Sequence, residues 1–70
     1  MKLSTRNQLR GVITSIQEGQ VTAIVKVALD GGGQSVTSSI TLEAARELDL
    51  KVGAPVIVLV KASEVSIAVE

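Results

Sequence analysis

The chain has 70 residues, with 7 Lys and Arg balancing 7 Asp and Glu, no His, no Cys and no aromatic residue, while 46% of it is hydrophobic. Zero net charge removes the basic footprint of a nucleic-acid or membrane-surface binder, and missing aromatic rings remove a base-stacking platform. Without His and Cys there is no disulfide framework and no usual structural zinc site, and the common groups of acid–base and covalent catalysis are absent, so the chain does not read as an enzyme.

The start, Met1-Lys2-Leu3-Ser4-Thr5-Arg6-Asn7, is polar where a signal peptide needs an apolar stretch, and the longest apolar run elsewhere is residues 54–60. That run is too short to span a bilayer, so a cytoplasmic protein without membrane association is expected. Residues 9–16, rich in β-branched side chains, predict a first strand. Glu18-Gly19-Gln20 supplies a turn, and residues 20–30 alternate, with Val21, Ala23, Val25, Val27 and Leu29 on one face. These two strands predict a hairpin.

Gly31-Gly32-Gly33 then breaks the pattern before a third strand, residues 35–40, in which Val36 and Ile40 share a face. The glycine run lacks the Lys-Ser/Thr ending and following helix of a phosphate loop and reads as a hairpin connection. Thr37-Ser38-Ser39 reads as part of an edge strand facing water. Thr41 can cap a short helix with Leu42, Ala45 and Leu48 on one side and Glu43 in the first turn, which Gly53 and Pro55 confine. Residues 56–60 are continuously apolar, which predicts a strand buried on both faces. Residues 65–69 alternate as a last strand.

Five strands with one helix between the third and fourth are compatible with a small, partly open all-β barrel of the OB type; half of a β-sandwich is the alternative. One domain fills residues 1–70. Surface scaling for 7.2 kDa gives a folded area of roughly 4,100 Å² against about 10,400 Å² unfolded, so a monomer would bury only about 60%. With a mean hydropathy of +0.43, the Val, Ile, Leu and Ala content exceeds what one small core hides, so self-association is expected.

Two clusters of hydrogen-bond donors stand apart from this pattern: Ser4-Thr5-Arg6-Asn7-Gln8, and Lys61-Ala62-Ser63. No Asp or Glu occurs from Met1 to Gln17. Hydroxyls, backbone N–H groups and cations without carboxylates suit a ligand that only accepts hydrogen bonds, namely a small deprotonated oxyanion. A ligand that keeps its own O–H would find no acceptor there, at a cost of about 1–3 kcal/mol. On the residues alone, the same stretches also read as a solvated tail and a polar turn.

Read together, Ser4-Thr5-Arg6-Asn7-Gln8-Leu9 followed by Gly11, then Ile40-Thr41-Leu42-Glu43, Leu50-Lys51-Val52-Gly53 and Val60-Lys61-Ala62-Ser63-Glu64-Val65 resemble the molbindins, whose Mop domain belongs with the TOBE-type modules. The resemblance covers essentially the whole chain. It implies an OB-like barrel, strand-exchanged in an oligomer, that binds molybdate and tungstate without chemical change for cytoplasmic storage or homeostasis. It also implies a homohexamer, a trimer of dimers, with anions held at subunit interfaces, no further cofactor and no direct protein–metal ligand.

Carried over by position, Ser4 and Lys61 donate from side chains, Arg6 and Asn7 through backbone N–H, with the Arg6 side chain as an alternative donor, and Ala62 and Ser63 from the strand end. An interface site would draw the two clusters from different chains. Thr5 departs from the family pattern, which more usually has Ala there. For the family's second class of site, Thr22 and Ser38 are the candidates. The competing readings are a ligand-sensing regulatory or interaction module, and a pterin binder, which the lack of aromatic residues disfavours.

Overall fold

Strand β1 (Asn7–Glu18) turns at Gly19, where the Gly19 N–H donates to Thr22 O at 2.8 Å, and returns antiparallel as β2 (Thr22–Leu29). This is the predicted hairpin, and the computed structural model, which describes all 70 residues, extends its first strand at both ends. A bulge lies between Ile13 and Ser15, leaving Thr14 outside the register, its hydroxyl donating to Lys26 O at 3.3 Å. The extra residue turns both Ile13, opposite Val27, and Ile16, opposite Val25, to the same face. Without it, a spacing of three would put them on opposite faces.

Gly11 in β1 lies directly against Val27 and Ala28 of β2. A Cβ there would lie 2.5 Å from Ala28 O and 2.6 Å from Val27 Cγ1, so the pairing needs a residue without a side chain. Gly31 and Gly33 take positive φ in the next connection, and β3 (Ser35–Thr41) pairs antiparallel with β2 from Ala28↔Ser35 to Thr22↔Thr41. β3 is an edge strand, and Thr37 and Ser39 are exposed as expected, whereas Ser38, opposite Val25, lies on the inner face.

Helix α1 (Leu42–Glu47) starts where the Thr41 hydroxyl accepts from the Ala44 N–H at 3.0 Å, the predicted cap. It ends after six residues in a Schellman arrangement: the Asp49 N–H donates to Arg46 O and the Leu50 N–H to Ala45 O. Asp49 holds the left-handed position at φ 52, a conformation its short polar side chain tolerates. Gly53, at φ 91, then returns the chain into β4 (Pro55–Val60), which pairs antiparallel with the free side of β1 from Val12↔Pro55 to Asn7↔Val60.

The sheet order is β3-β2-β1-β4, and the strands curl into an OB-like half-barrel whose inner face carries Ile13, Val25 and Val27, with Ile40, Leu50, Val56 and Val58 packed half-buried around them. Ala45 from α1 is also buried. Two expectations differ from what the single chain forms. The chain forms four strands: residues 66–70 make no backbone hydrogen bond, and Ile67 and Val69 are 85% and 92% exposed. An alternating segment needs a sheet edge, and no edge of the same chain meets this one. Nor is β4 buried on both faces, since it is itself an edge strand with Leu59 exposed and its other apolar residues half-buried.

Candidate anion-binding site

Because Asn7 pairs with Val60, the residues that precede β1 and those that follow β4 leave the sheet side by side. Ser4, Thr5 and Arg6 on one arm and Lys61, Ala62 and Ser63 on the other line an open cleft of about 430 Å³. The two donor clusters, 55 positions apart from Arg6 to Lys61, thus come together within one chain. Six of the seven expected binding residues line this cleft, and no carboxylate does.

The second arm is a single 3₁₀ turn, Ala62–Glu64, closed by Glu64 N–H to Lys61 O at 2.9 Å and Val65 N–H to Ala62 O at 3.3 Å. Neither bond uses the Ala62 or Ser63 N–H, so both remain available to an acceptor. The first arm makes no backbone–backbone hydrogen bond of its own. Arg6 and Lys61 supply two positive charges, Ser4, Thr5 and Ser63 supply hydroxyls, and Thr5 is the half-buried member. Glu64 follows Ser63 directly but does not line the cleft. Chemically this is a surface of donors, able to bind an acceptor-only anion and lacking a base, a nucleophile with a partner, or a cluster of metal-ligating side chains.

Asn7 does not line the cleft. Its side-chain amide points across the sheet end and donates to Val60 O at 3.0 Å, while the next residue, Gln8, donates from its amide to Thr5 O at 3.0 Å. Reading the sequence missed these two roles. The available signal was a pair of adjacent side-chain amides at the mouth of a strand. Thr22 and Ser38 are not brought together: Thr22 alternates with the inward Ala23 and faces outward, whereas Ser38 lines the apolar inner groove.

A half-barrel of OB type with a donor-lined cleft at the open end of one strand pair defines a small ligand-binding domain. A TOBE domain matches residues 3–67, and the chain belongs to that family, in its molbindin or Mop branch. It is 44% identical over 70 residues, the full length of both chains, to a probable molybdenum-pterin-binding protein of Haemophilus influenzae. MopII from Clostridium pasteurianum superimposes with a TM-score of 0.90 at 38% identity, covering 97% of this chain and 100% of that one. The cytoplasmic molybdate-binding protein ModG, in a form with molybdate bound, gives 0.82 at 45% identity, over 89% of this chain and 43% of its own. The Haemophilus influenzae relative and ModG are named as binding proteins, and no helix here is long and apolar enough to cross a membrane.

Proposed function

We propose that this protein binds molybdate, and tungstate by the same geometry, as a reversible cytoplasmic store that buffers the free oxyanion. The observation that carries the reading is the cleft between residues 4–6 and 61–63, which gathers two cations, three hydroxyls and two uncommitted N–H groups without one carboxylate. A tetrahedral dianion offers acceptors in every direction and no proton, so each of these donors can be used. The molybdate-bound state of ModG supports the ligand class. A fused pterin ring would instead favour a stacking surface, and the chain has no Phe, Tyr or Trp.

Assembly belongs to the same reading. A single chain exposes 5,623 Å², some 1,500 Å² above the roughly 4,100 Å² expected of a compact monomer of this mass. That excess supports self-association, and the resemblance to the molbindins gives its form: a homohexamer built as a trimer of dimers, with residues 65–69 exchanged as the fifth strand and anions held at subunit interfaces. Since one chain already forms the donor cleft, a second chain would cover its open side. Thr22 and Ser38 remain candidates for a second class of site on the same terms, where Thr22 of one chain meets Ser38 of another.

Native mass spectrometry of the purified protein, titrated with molybdate, tungstate and sulfate, tests all of this together. The expected series is one closed oligomer that takes up several molybdates or tungstates and no sulfate. A species indifferent to all three anions would sink the storage reading and leave a regulatory or interaction module as the better account.

A further inference from the structure

The arms of the cleft are held by two neighbouring amides. Side chains make four hydrogen bonds with the backbone in this chain, and two of them come from the consecutive residues Asn7 and Gln8. Their acceptors are the carbonyls of Thr5, which lines the cleft on the first arm, and of Val60, which immediately precedes the second. We propose that Asn7 and Gln8 are positioning residues for the oxyanion, tying the two donor arms into binding geometry and turning two carbonyl oxygens away from the anion. This inference rests on the reading of the cleft as an oxyanion site.

Two physical effects converge. The first is order. Residues 4–6 precede β1 and make no backbone–backbone hydrogen bond, so the bond from Gln8 Nε2 to Thr5 O is the one hydrogen-bonded tie on that arm. The bond from Asn7 Nδ2 to Val60 O spans 53 positions and fixes the strand ends from which both arms emerge. An arm already ordered before binding does not lose its conformational freedom when the anion arrives.

The second effect is electrostatic. A carbonyl oxygen facing a dianion repels it, and a carbonyl engaged by an amide N–H presents less free negative charge. Asparagine and glutamine can donate in this way without adding charge, whereas aspartate or glutamate of nearly the same shape would lose the donor and add a negative group at the mouth of the cleft. The Asn7 backbone N–H, which the resemblance makes a donor to the anion, is a separate group from this side-chain amide.

The test uses the whole 70-residue chain and four variants: Gln8→Met, Gln8→Glu, Asn7→Leu and Asn7→Asp. Molybdate affinity is measured by calorimetry at low and at elevated salt, with sulfate as control. Backbone amide relaxation by NMR reports the order of Ser4, Thr5 and Arg6 without ligand. The expected result is a loss of about five- to tenfold in affinity for Gln8→Met and Asn7→Leu, the worth of one hydrogen bond. Gln8→Glu and Asn7→Asp should lose more, and their excess deficit should shrink as salt rises.

In Gln8→Met, the amides of residues 4–6 should become mobile in the free protein and order again with molybdate, while those of β2 and β3 stay as in the parent. Should Asn7→Leu fail to fold, the exposed Gln8 pair decides alone. Variants that bind within twofold of a molybdate-binding parent would overturn the positioning role. Equal losses in the neutral and acidic variants at every salt concentration would overturn its electrostatic half. A parent that binds no molybdate would instead overturn the oxyanion reading on which it rests.

Discussion

Lys61 is the residue on which the cleft chemistry can be judged most directly. It stands at the N-cap of the 3₁₀ turn with an extended backbone (φ −61, ψ 133), makes no ion pair, and lines the cleft opposite Ser4 and Arg6. Its ammonium is a compact point charge with three donors, suited to a tetrahedral anion that has no planar face for a bidentate grip. A charge-assisted hydrogen bond is worth about 1.5–3 kcal/mol, so Lys61→Ala should weaken molybdate binding by roughly ten- to a hundredfold. Because Lys61 is exposed and packs against nothing in the core, its thermal midpoint without ligand should stay near that of the parent. Calorimetric titration beside a melting curve checks both, and an affinity within twofold of the parent would remove Lys61 from the site.

Among the elements, α1 is the least able to stand alone, since six residues lie far below the length at which an isolated helix persists in water. Its two ends therefore carry it. Thr41→Ala removes the hydroxyl that accepts from the Ala44 N–H and should cost about 1 kcal/mol of stability, while Thr41→Ser should retain most of it; denaturant unfolding of the three proteins shows the difference as a shift in midpoint at constant slope. The cap was legible because Thr precedes an apolar pattern at helical spacing, and β2 was legible because Ala23, Val25 and Val27, all buried, keep the alternation although Ile24 and Ala28 break it on the outer face.

The bulge at Thr14 was not legible. Ile13 and Ile16 read as residues of opposite faces until an extra residue brings them to one. At the site, composition alone picked out both arms, and the Asn7↔Val60 pairing brought them together, but the direction in which the Asn7 amide turns depends on Val60, which lies far away in sequence. The outward position of Thr22 and the inward one of Ser38 likewise follow from a register that pairs Thr22 with Thr41 and Val25 with Ser38, and no local pattern specifies that.

At the scale of the whole molecule, the unresolved demand of this fold is apolar surface. Both sheet edges, β3 and β4, are free in one chain, the inner groove between Ile40, Leu48, Leu50 and Val58 remains open, and Val65, Ile67 and Val69 alternate on a segment with no partner. A free edge beside an unpaired alternating strand is a pairing site, and a second copy of the chain offers the complementary half of each. Ending the chain after Val65 should therefore leave β1–β4 and both closing bonds of the 3₁₀ turn in place while removing the alternating segment proposed to pair with a second chain. The expected outcome is a smaller species by analytical ultracentrifugation than the full chain forms at the same concentration. If the anion is held where subunits meet, molybdate should strengthen assembly and raise the thermal midpoint of the full chain together, by mass action, and the shortened chain should lose both responses. A shortened chain that still assembles to the full size would place the oligomer contacts elsewhere, and one that binds molybdate with parental affinity as a monomer would place the complete site within a single chain.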